Sequence, residues 1–307
     1  MAVCVLSLDL NMSVQLRIGF EITYGFFQPT PLVLVVNTHD SRSGDIIVPD
    51  DLRTTPAVPI SAYADAFGNR CQRLVAPAGR FRMTADGVIR DNGLDEVPIG
   101  ARQDLVEELP EHTLIYLMGS RYCETDLLTQ TAWQLFGGTF PGYPRVQAIC
   151  DFVHNHIAFD YQSARNTRTA AEAYREGIGV CRDYAHLAVT LCRCMNIPAR
   201  YCTGYLGDVG LPPPYPPGDF SAWFEVWIGG RWFTFDARHN VPRASRVLMA
   251  RGRDAADVAI ITTFGPGVLE SFRVWADEIP EGMFEGVGVG FGSGVPTEYS
   301  RELVGGL

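Results

Sequence analysis

Lysine is absent: all 25 basic residues of this 307-residue chain are arginine. Arginine favours bidentate grips on carboxylates and carbonyl-rich surfaces over loose solvation. Positive charge is also in the minority, since 35 Asp and Glu leave a net charge of -10 and a pI near 5.1. No basic block compensates, so nothing in the chain neutralises a row of phosphates, and nucleic acid is not an expected partner. Long apolar runs are missing as well. The greasiest stretch, Pro31 to Val36, is soon broken by Asn37, His39 and Asp40, far short of the roughly 20 residues a membrane helix needs. No membrane association is expected. The first ten residues have no basic leader and no small-residue cleavage site, and Asp9 interrupts them. They read poorly as a secretory signal, which makes the expected location cytoplasmic. Met12 is an alternative start.

Paired C-x-x-C knuckles are lacking, although there are eight cysteines at 4, 71, 123, 150, 181, 192, 194 and 202. That density is far below a disulfide-stapled scaffold, so free thiols are expected. On a helix the side chains of Cys192 and Cys194 diverge by about 200 degrees, which favours packing over metal binding. No metal and no organic cofactor is implied. With 47% hydrophobic and 20% charged positions, the chain is an ordinary globular one, enough for one large domain or two average ones.

From Leu16 to about Arg90, short alternating or β-branched runs recur between turn residues: 16–24, 32–36, 45–48, 72–75 and 80–83. That spacing predicts an N-terminal antiparallel β sandwich over 12–105. A second domain is expected over 106–278, followed by a flexible glycine-rich tail at 279–307. In the second domain a helix is predicted over about 144–156 from the recurrence of Val146, Ile149, Cys150 and Val153. Thr169 is a predicted N-cap for a short helix over 170–175 that Gly177 ends. A third helix begins at Cys181, just after Gly179, and stops at Asn196-Ile-Pro198. A helix N-terminus presents unpaired N–H groups and partial positive charge, both of which stabilise a thiolate.

A strand follows at 199–204, and then two strands joined by Gly229-Gly230, a strong hairpin signal. With that turn, positions whose numbers sum to 459 face each other. Trp223 then opposes Asp236 and Ser221 opposes Arg238, so Ser221, Trp223 and Glu225 share a sheet face with Thr234, Asp236 and Arg238.

Three blocks occur in order: Gly179-Val-Cys-Arg-Asp-Tyr-Ala-His-Leu-Ala-Val, Ile197-Pro-Ala-Arg-Tyr-Cys-Thr-Gly-Tyr205, and Ala222-Trp-Phe-Glu-Val-Trp with Phe233-Thr-Phe-Asp236. The pattern resembles the transglutaminase-like superfamily, in its bacterial branch with an N-terminal β domain. The resemblance covers roughly 110–275 and is densest between 167 and 240. It implies an α+β fold, the N-terminal antiparallel β sandwich being followed by a papain-like, transglutaminase-like core. It also implies a cysteine that attacks an amide carbonyl, a histidine that relays the proton, and an aspartate that orients the histidine.

By that resemblance Cys181 matches the nucleophile and Asp236 the orienting acid. The family's histidine precedes the Ala-Trp dipeptide, and here that position is Ser221. A serine hydroxyl does not titrate near neutrality, so the standard triad lacks its base. Three readings follow. His239, three residues past Asp236, takes over, although strict strand alternation puts it on the opposite face. Alternatively, thiolate chemistry continues through water or a substrate group, on esters or thioesters. In the third reading the chain is a degenerate homologue that binds peptides or another domain.

Trp223, Tyr122 and Arg238 are candidate substrate contacts, with core packing the commoner fate of a strand tryptophan. His186 is rotated about 140 degrees from Cys181 on its helix and reads as a packing residue. His154 and His156 lack further metal ligands. Arg182 and Asp183 read by default as exposed charge at the helix start, and the segment from Arg251 to Asp257 as a solvated turn. The expected activity is that of a peptidase or amidase more than a cross-linker, or of an acyl transferase. The expected partner is a peptide or protein amide or a small acyl compound, and the oligomeric state is left open.

Overall fold

The computed structural model describes residues 14–91, 93–215 and 218–280. The alternative start at Met12 and the glycine-rich tail from Glu281 lie outside the described residues. Seven strands come first: β1 (Val14–Phe26), β2 (Thr30–Leu34), β3 (Ile46–Val48), β4 (Arg53–Thr55), β5 (Ser61–Ala64), β6 (Arg70–Ala76) and β7 (Gly79–Asp91). Along β1, Leu16, Ile18, Phe20 and Ile22 are all fully buried, the two-residue period of a strand with one face in the core. Each such side chain contributes about 1.5–3 kcal/mol of burial. Leu32 and Leu34 of β2, Leu74 of β6, and Phe81 and Met83 of β7 close the same core from two sheets.

The second half supplies α1 (Glu111–Leu114), α2 (Thr125–Phe136), α3 (Tyr143–His156), β8 (Ala158–Phe159), α4 (Ala170–Glu176), β9 (Ile178–Gly179) and α5 (Cys181–Cys194). The chain continues through β10 (Ala199–Leu206), β11 (Ser221–Ile228), β12 (Arg231–Phe235), β13 (Arg246–Gly252), β14 (Ile261–Thr263) and β15 (Gly267–Ile279). The predicted α+β architecture is present. An antiparallel sheet ordered β12-β11-β10-β13 carries α5 on one face. Tyr205, Phe220, Val247 and Met249 join the core of the sandwich. The two halves therefore share apolar surface.

The last strands differ from the expected division of the chain. Residues 261–279 fall within the segment read from sequence as the second domain and the start of the tail. Yet β15 pairs with β1 along its length and β14 pairs with β2, completing the sandwich ordered β15-β1-β7-β3 and β14-β2-β6-β5. Strand pairing supplies backbone partners to β1 that no local pattern announces.

Local signals are obeyed closely around the third helix. Thr169 and Glu172 form a reciprocal capping box at the start of α4. Gly177 ends that helix in the left-handed region at φ 64, where a side chain would be strained. Helix α5 is buried on every side from Asp183 to Cys194, so each polar group it carries needs a partner inside the protein. Thr190 Oγ1 donates to the His186 carbonyl at 2.7 Å. The Arg193 guanidinium donates to the carbonyls of Ala199, Met118 and Arg253 near the helix C-terminus, where positive charge is favoured.

The hairpin register is the one predicted. Phe224 faces Phe235, Glu225 faces Thr234 and Ile228 faces Arg231. Gly229 and Gly230 both sit at positive φ, as a type I′ turn requires. Among the described residues, no helix is long and apolar enough to cross a membrane.

Candidate active site

The start of α5 is clamped from below. Asp183, its third residue, accepts from the Val180 N–H at 2.8 Å and from Arg168 Nη1 at 3.0 Å. Both ionic side chains are almost wholly buried. Asp183 is thus an internal cap, not the exposed charge the sequence suggests, because a carboxylate three residues into a helix reaches back to the first orphan N–H groups. Cys181, at the mouth of that turn, is half-buried.

The short parallel pair β8–β9 brings a second wall to the thiol. Phe159 pairs with Gly179, and the Asp160 N–H donates to the Gly179 carbonyl at 3.0 Å. The Arg238 guanidinium lies 3.9 Å from the Phe159 ring centroid. Tyr161 comes next along the chain, and burial, with the Asp219 charge adding to it, pushes its phenol up. Phe159, Arg238 and Gly179, which leads into Cys181, are therefore brought together from three separate segments.

Burial pushes the Cys181 thiol up to about 11, and the nearby Asp219 carboxylate adds to the rise. Arg238 and the Ala222 N–H pull the other way. The thiolate preference expected from the helix start alone is outweighed, because removing a charged form from water costs more than a helix end returns. Among the described residues, no hydrogen bond links this thiol to a histidine. Ser221 is 7% exposed, its Oγ has no partner, and its carbonyl accepts from Thr203 Oγ1 at 3.0 Å.

Asp236 has four donors. Its Oδ1 accepts the N–H of Arg238 at 2.9 Å and of His239 at 3.2 Å. Its Oδ2 accepts Nδ1 of His239 at 2.8 Å and Nη2 of Arg246 at 3.1 Å. Burial alone would raise this carboxyl, but the His239 hydrogen bond and the Arg246 charge hold it well below the usual carboxylate range. The expectation that alternation turns His239 away from Asp236 is corrected. Strand β12 ends at Phe235, and the Asn240 N–H closes back on the Asp236 carbonyl at 2.8 Å. That turn carries His239 round to the aspartate.

The remaining candidates divide. Trp223 is 2% exposed, packed on Cys202 and Leu248 beneath the Arg246 guanidinium. It is a core residue with no surface for a substrate, which corrects its reading as a contact. Tyr122 stacks on His186 at 5.0 Å, with Arg121 across its ring. His186 is a packing residue: burial drives its pKa well down, and its Nε2 accepts from the Ala255 N–H at 3.1 Å. His154 Nδ1 and His156 Nε2 donate to the carbonyls of Arg238 and Tyr174. The turn at 253–257 is not solvated at Asp254, which is 1% exposed and accepts the Tyr122 N–H at 2.8 Å. Sequence reasoning passed over Asp219, Tyr161, Arg246 and Asp95. Asp219 stands two residues before the position the family gives to histidine, which was the available signal.

These placements agree with what the chain is similar to. The model of the "Transglutaminase-like superfamily" matches residues 129–237. An uncharacterized protein of Mycobacterium leprae is 35% identical over 91 residues, 29% of this chain and 32% of that protein. An uncharacterized protein of Mycobacterium tuberculosis is 31% identical over 132 residues, 38% of this chain and 41% of that protein. The chain thus spans well under half the length of the curated relatives it matches. A crystal structure described as "a Putative Cysteine Protease from Cytophaga hutchinsonii" is 31% identical, with a TM-score of 0.77 over 88% of this chain and 92% of that one. With the papain-like core, the helix-leading cysteine and the ordered motif blocks in place, the chain belongs to the transglutaminase-like superfamily.

Proposed function

We propose that the protein is a cysteine-dependent amide-bond hydrolase, a peptidase or amidase in preference to a cross-linker, with Cys181 as nucleophile and Asp236 as polar support. The observation that carries this reading is the position of Cys181. It heads a buried, capped helix and faces the Ala222 N–H at the start of β11 and the Arg238 guanidinium. Unpaired first-turn N–H groups at such a position are suited to receive the oxyanion that forms when sulfur attacks a carbonyl. The likeness to the Cytophaga hutchinsonii structure described as "a Putative Cysteine Protease" supports it. Water is always present as the acyl acceptor, whereas transfer needs a second, amine-accepting cleft. The substrate class is a peptide or protein amide or a small acyl compound.

Burial raises the thiol, which calls for a base that takes its proton during attack. His239, oriented by Asp236, is one candidate for that part. A second reading, a degenerate binding module, is favoured by Ser221 in the histidine position and by the raised thiol. Cleavage of a degenerate peptide library, read by new N-termini in the parent and in Cys181→Ala, separates the two. Loss of all cleavage in the variant supports the hydrolase. Cleavage that persists in Cys181→Ala removes Cys181 as the nucleophile, and a parent that cleaves nothing favours the binding module.

A further inference from the structure

Resting on the hydrolase reading, we propose that Arg238 selects the substrate: its guanidinium grips a carboxylate carried near the scissile amide, from an acidic side chain or a free C-terminus. The guanidinium lies over Phe159, 3.9 Å from the ring centroid. An arginine stacked on an aromatic face keeps its N–H fork for a bidentate bond to a carboxylate. Phe159 in turn is tied to the start of α5 at two points. It pairs with Gly179, two residues before Cys181, and its ring meets that of Tyr184 at 6.5 Å. Cys181 and Tyr184 are three residues apart and share a face of the helix. The Asp160 N–H on the Gly179 carbonyl at 3.0 Å and the Tyr184 hydroxyl on the Ile157 carbonyl at 2.5 Å join the same segments. Arg238 is thereby placed over the stretch of chain that presents the thiol.

The contact is also pre-organised. The Arg238 N–H donates to Asp236 Oδ1 at 2.9 Å, and its carbonyl accepts from His154 Nδ1 of α3 at 2.9 Å. Two residues on, Asn240 sits at a left-handed φ of 55 and is held to α3 by Gln147 Nε2 at 2.9 Å and Asp151 Oδ1 at 2.7 Å. A main chain fixed on both sides loses little further freedom when a ligand binds.

Its charge is available to a ligand. The neighbouring Arg243 pairs with Asp208, and Arg246 with Asp95 and Asp236. Among the described residues, no carboxylate forms an ion pair with the Arg238 guanidinium. In a chain of net charge -10, this leaves a cation beside the entry to a half-buried thiol. An anion is the partner that complements it.

The test uses the full chain as the parent, Arg238→Gln and Arg238→Lys. Cys181 is alkylated with iodoacetate and, separately, with neutral iodoacetamide, and both rates are followed by mass spectrometry. Their ratio cancels any change in thiol reactivity common to the two reagents. Arg238→Gln is expected to lower the ratio of the charged to the neutral reagent about tenfold or more, and Arg238→Lys to restore part of it. Cleavage is read alongside with degenerate peptide pools that differ only by Glu for Gln, each with a free or an amidated C-terminus. The parent is expected to favour the carboxylate-bearing pool about 10- to 100-fold in kcat/KM, and Arg238→Gln to lose most of that preference. A preference that follows Glu assigns the carboxylate to a side chain, and one that follows the free C-terminus assigns it to the peptide end. An alkylation ratio unchanged in Arg238→Gln overturns the proposal, as does a parent that cleaves all the pools equally. A parent that cleaves none of them defeats the hydrolase reading instead, and the alkylation ratio still decides whether the anion site stands.

Discussion

Nδ1 of His239 donates to Oδ2 of Asp236 at 2.8 Å, across a turn of only three residues. The aspartate also holds Arg246, which in turn reaches Asp95 at 3.1 Å. Asp236→Asn removes the charge that pairs with a guanidinium 5% exposed. Stranding that cation is expected to cost about 3–5 kcal/mol, read as a lower urea midpoint at unchanged slope. A loss under about 1 kcal/mol would mean that Asp95 alone satisfies Arg246.

The two acidic residues give stability opposite pH dependences. Asp236 has its folded pKa depressed, so its contribution is complete above the ordinary value of 3.8 and drains as pH falls below it towards the folded value. Asp219 has its folded pKa raised to about 6, so between roughly 6 and 3.8 the folded state binds more protons and stability rises as pH falls. Asp219→Asn is therefore expected to be more stable than the parent at pH 7, and to lose that advantage by pH 4. Thermal melts at the two pH values check this, and a variant less stable than the parent at pH 7 would contradict it.

Gly179→Ala places a Cβ 2.6 Å from Asp183 Oδ2 and 2.7 Å from its Cβ. The cap under the nucleophile has to move, at an expected cost of about 1–3 kcal/mol. Chemical denaturation measures the cost, and the rate of Cys181 alkylation reports the displaced helix start. Unchanged values for both would show that the clamp has slack.

Arg168→Ala leaves Asp183 as a buried carboxylate with no cationic partner at hydrogen-bond distance. About 3–5 kcal/mol of destabilisation is expected. The double variant Arg168→Ala with Asp183→Asn should recover part of it, and a cycle with no coupling would show that the ion pair is dispensable.

Ser221→His gives up no side-chain hydrogen bond, since the serine Oγ has none. It supplies an imidazole at the position from which the family relays its proton. Alkylation of Cys181 at pH 7 is expected to quicken about tenfold or more, with the midpoint moving down towards neutrality. A thiol as slow as in the parent would show that the site no longer has the family's geometry.

Much of the core was legible because its signals are local. Thr169 with Glu172, Gly177, and Gly229 with Gly230 each act within a few residues of themselves, and the structure uses all of them as read. Period-two burial along β1 and the hairpin register follow equally from neighbours in sequence. Strict alternation turns His239 away from Asp236 only if it is carried past Phe235, where β12 ends. Trp223 was misread because burial of a strand face depends on what lies across it, here Cys202, Leu248 and Arg246.

The sequence by itself determined the alternating strands of the N-terminal half, the glycine-turned hairpin, the helix that Cys181 leads, and the absence of a histidine before Ala222-Trp223. Those are matters of residue type, spacing and short-range capping. Only the tertiary structure decided that β15 returns to β1, that Asp236 holds His239 and Arg246, and that Arg168 closes on Asp183 beneath the start of α5. The reason is that burial and charge proximity between residues tens of positions apart set ionisation, and neither exists until the chain has packed.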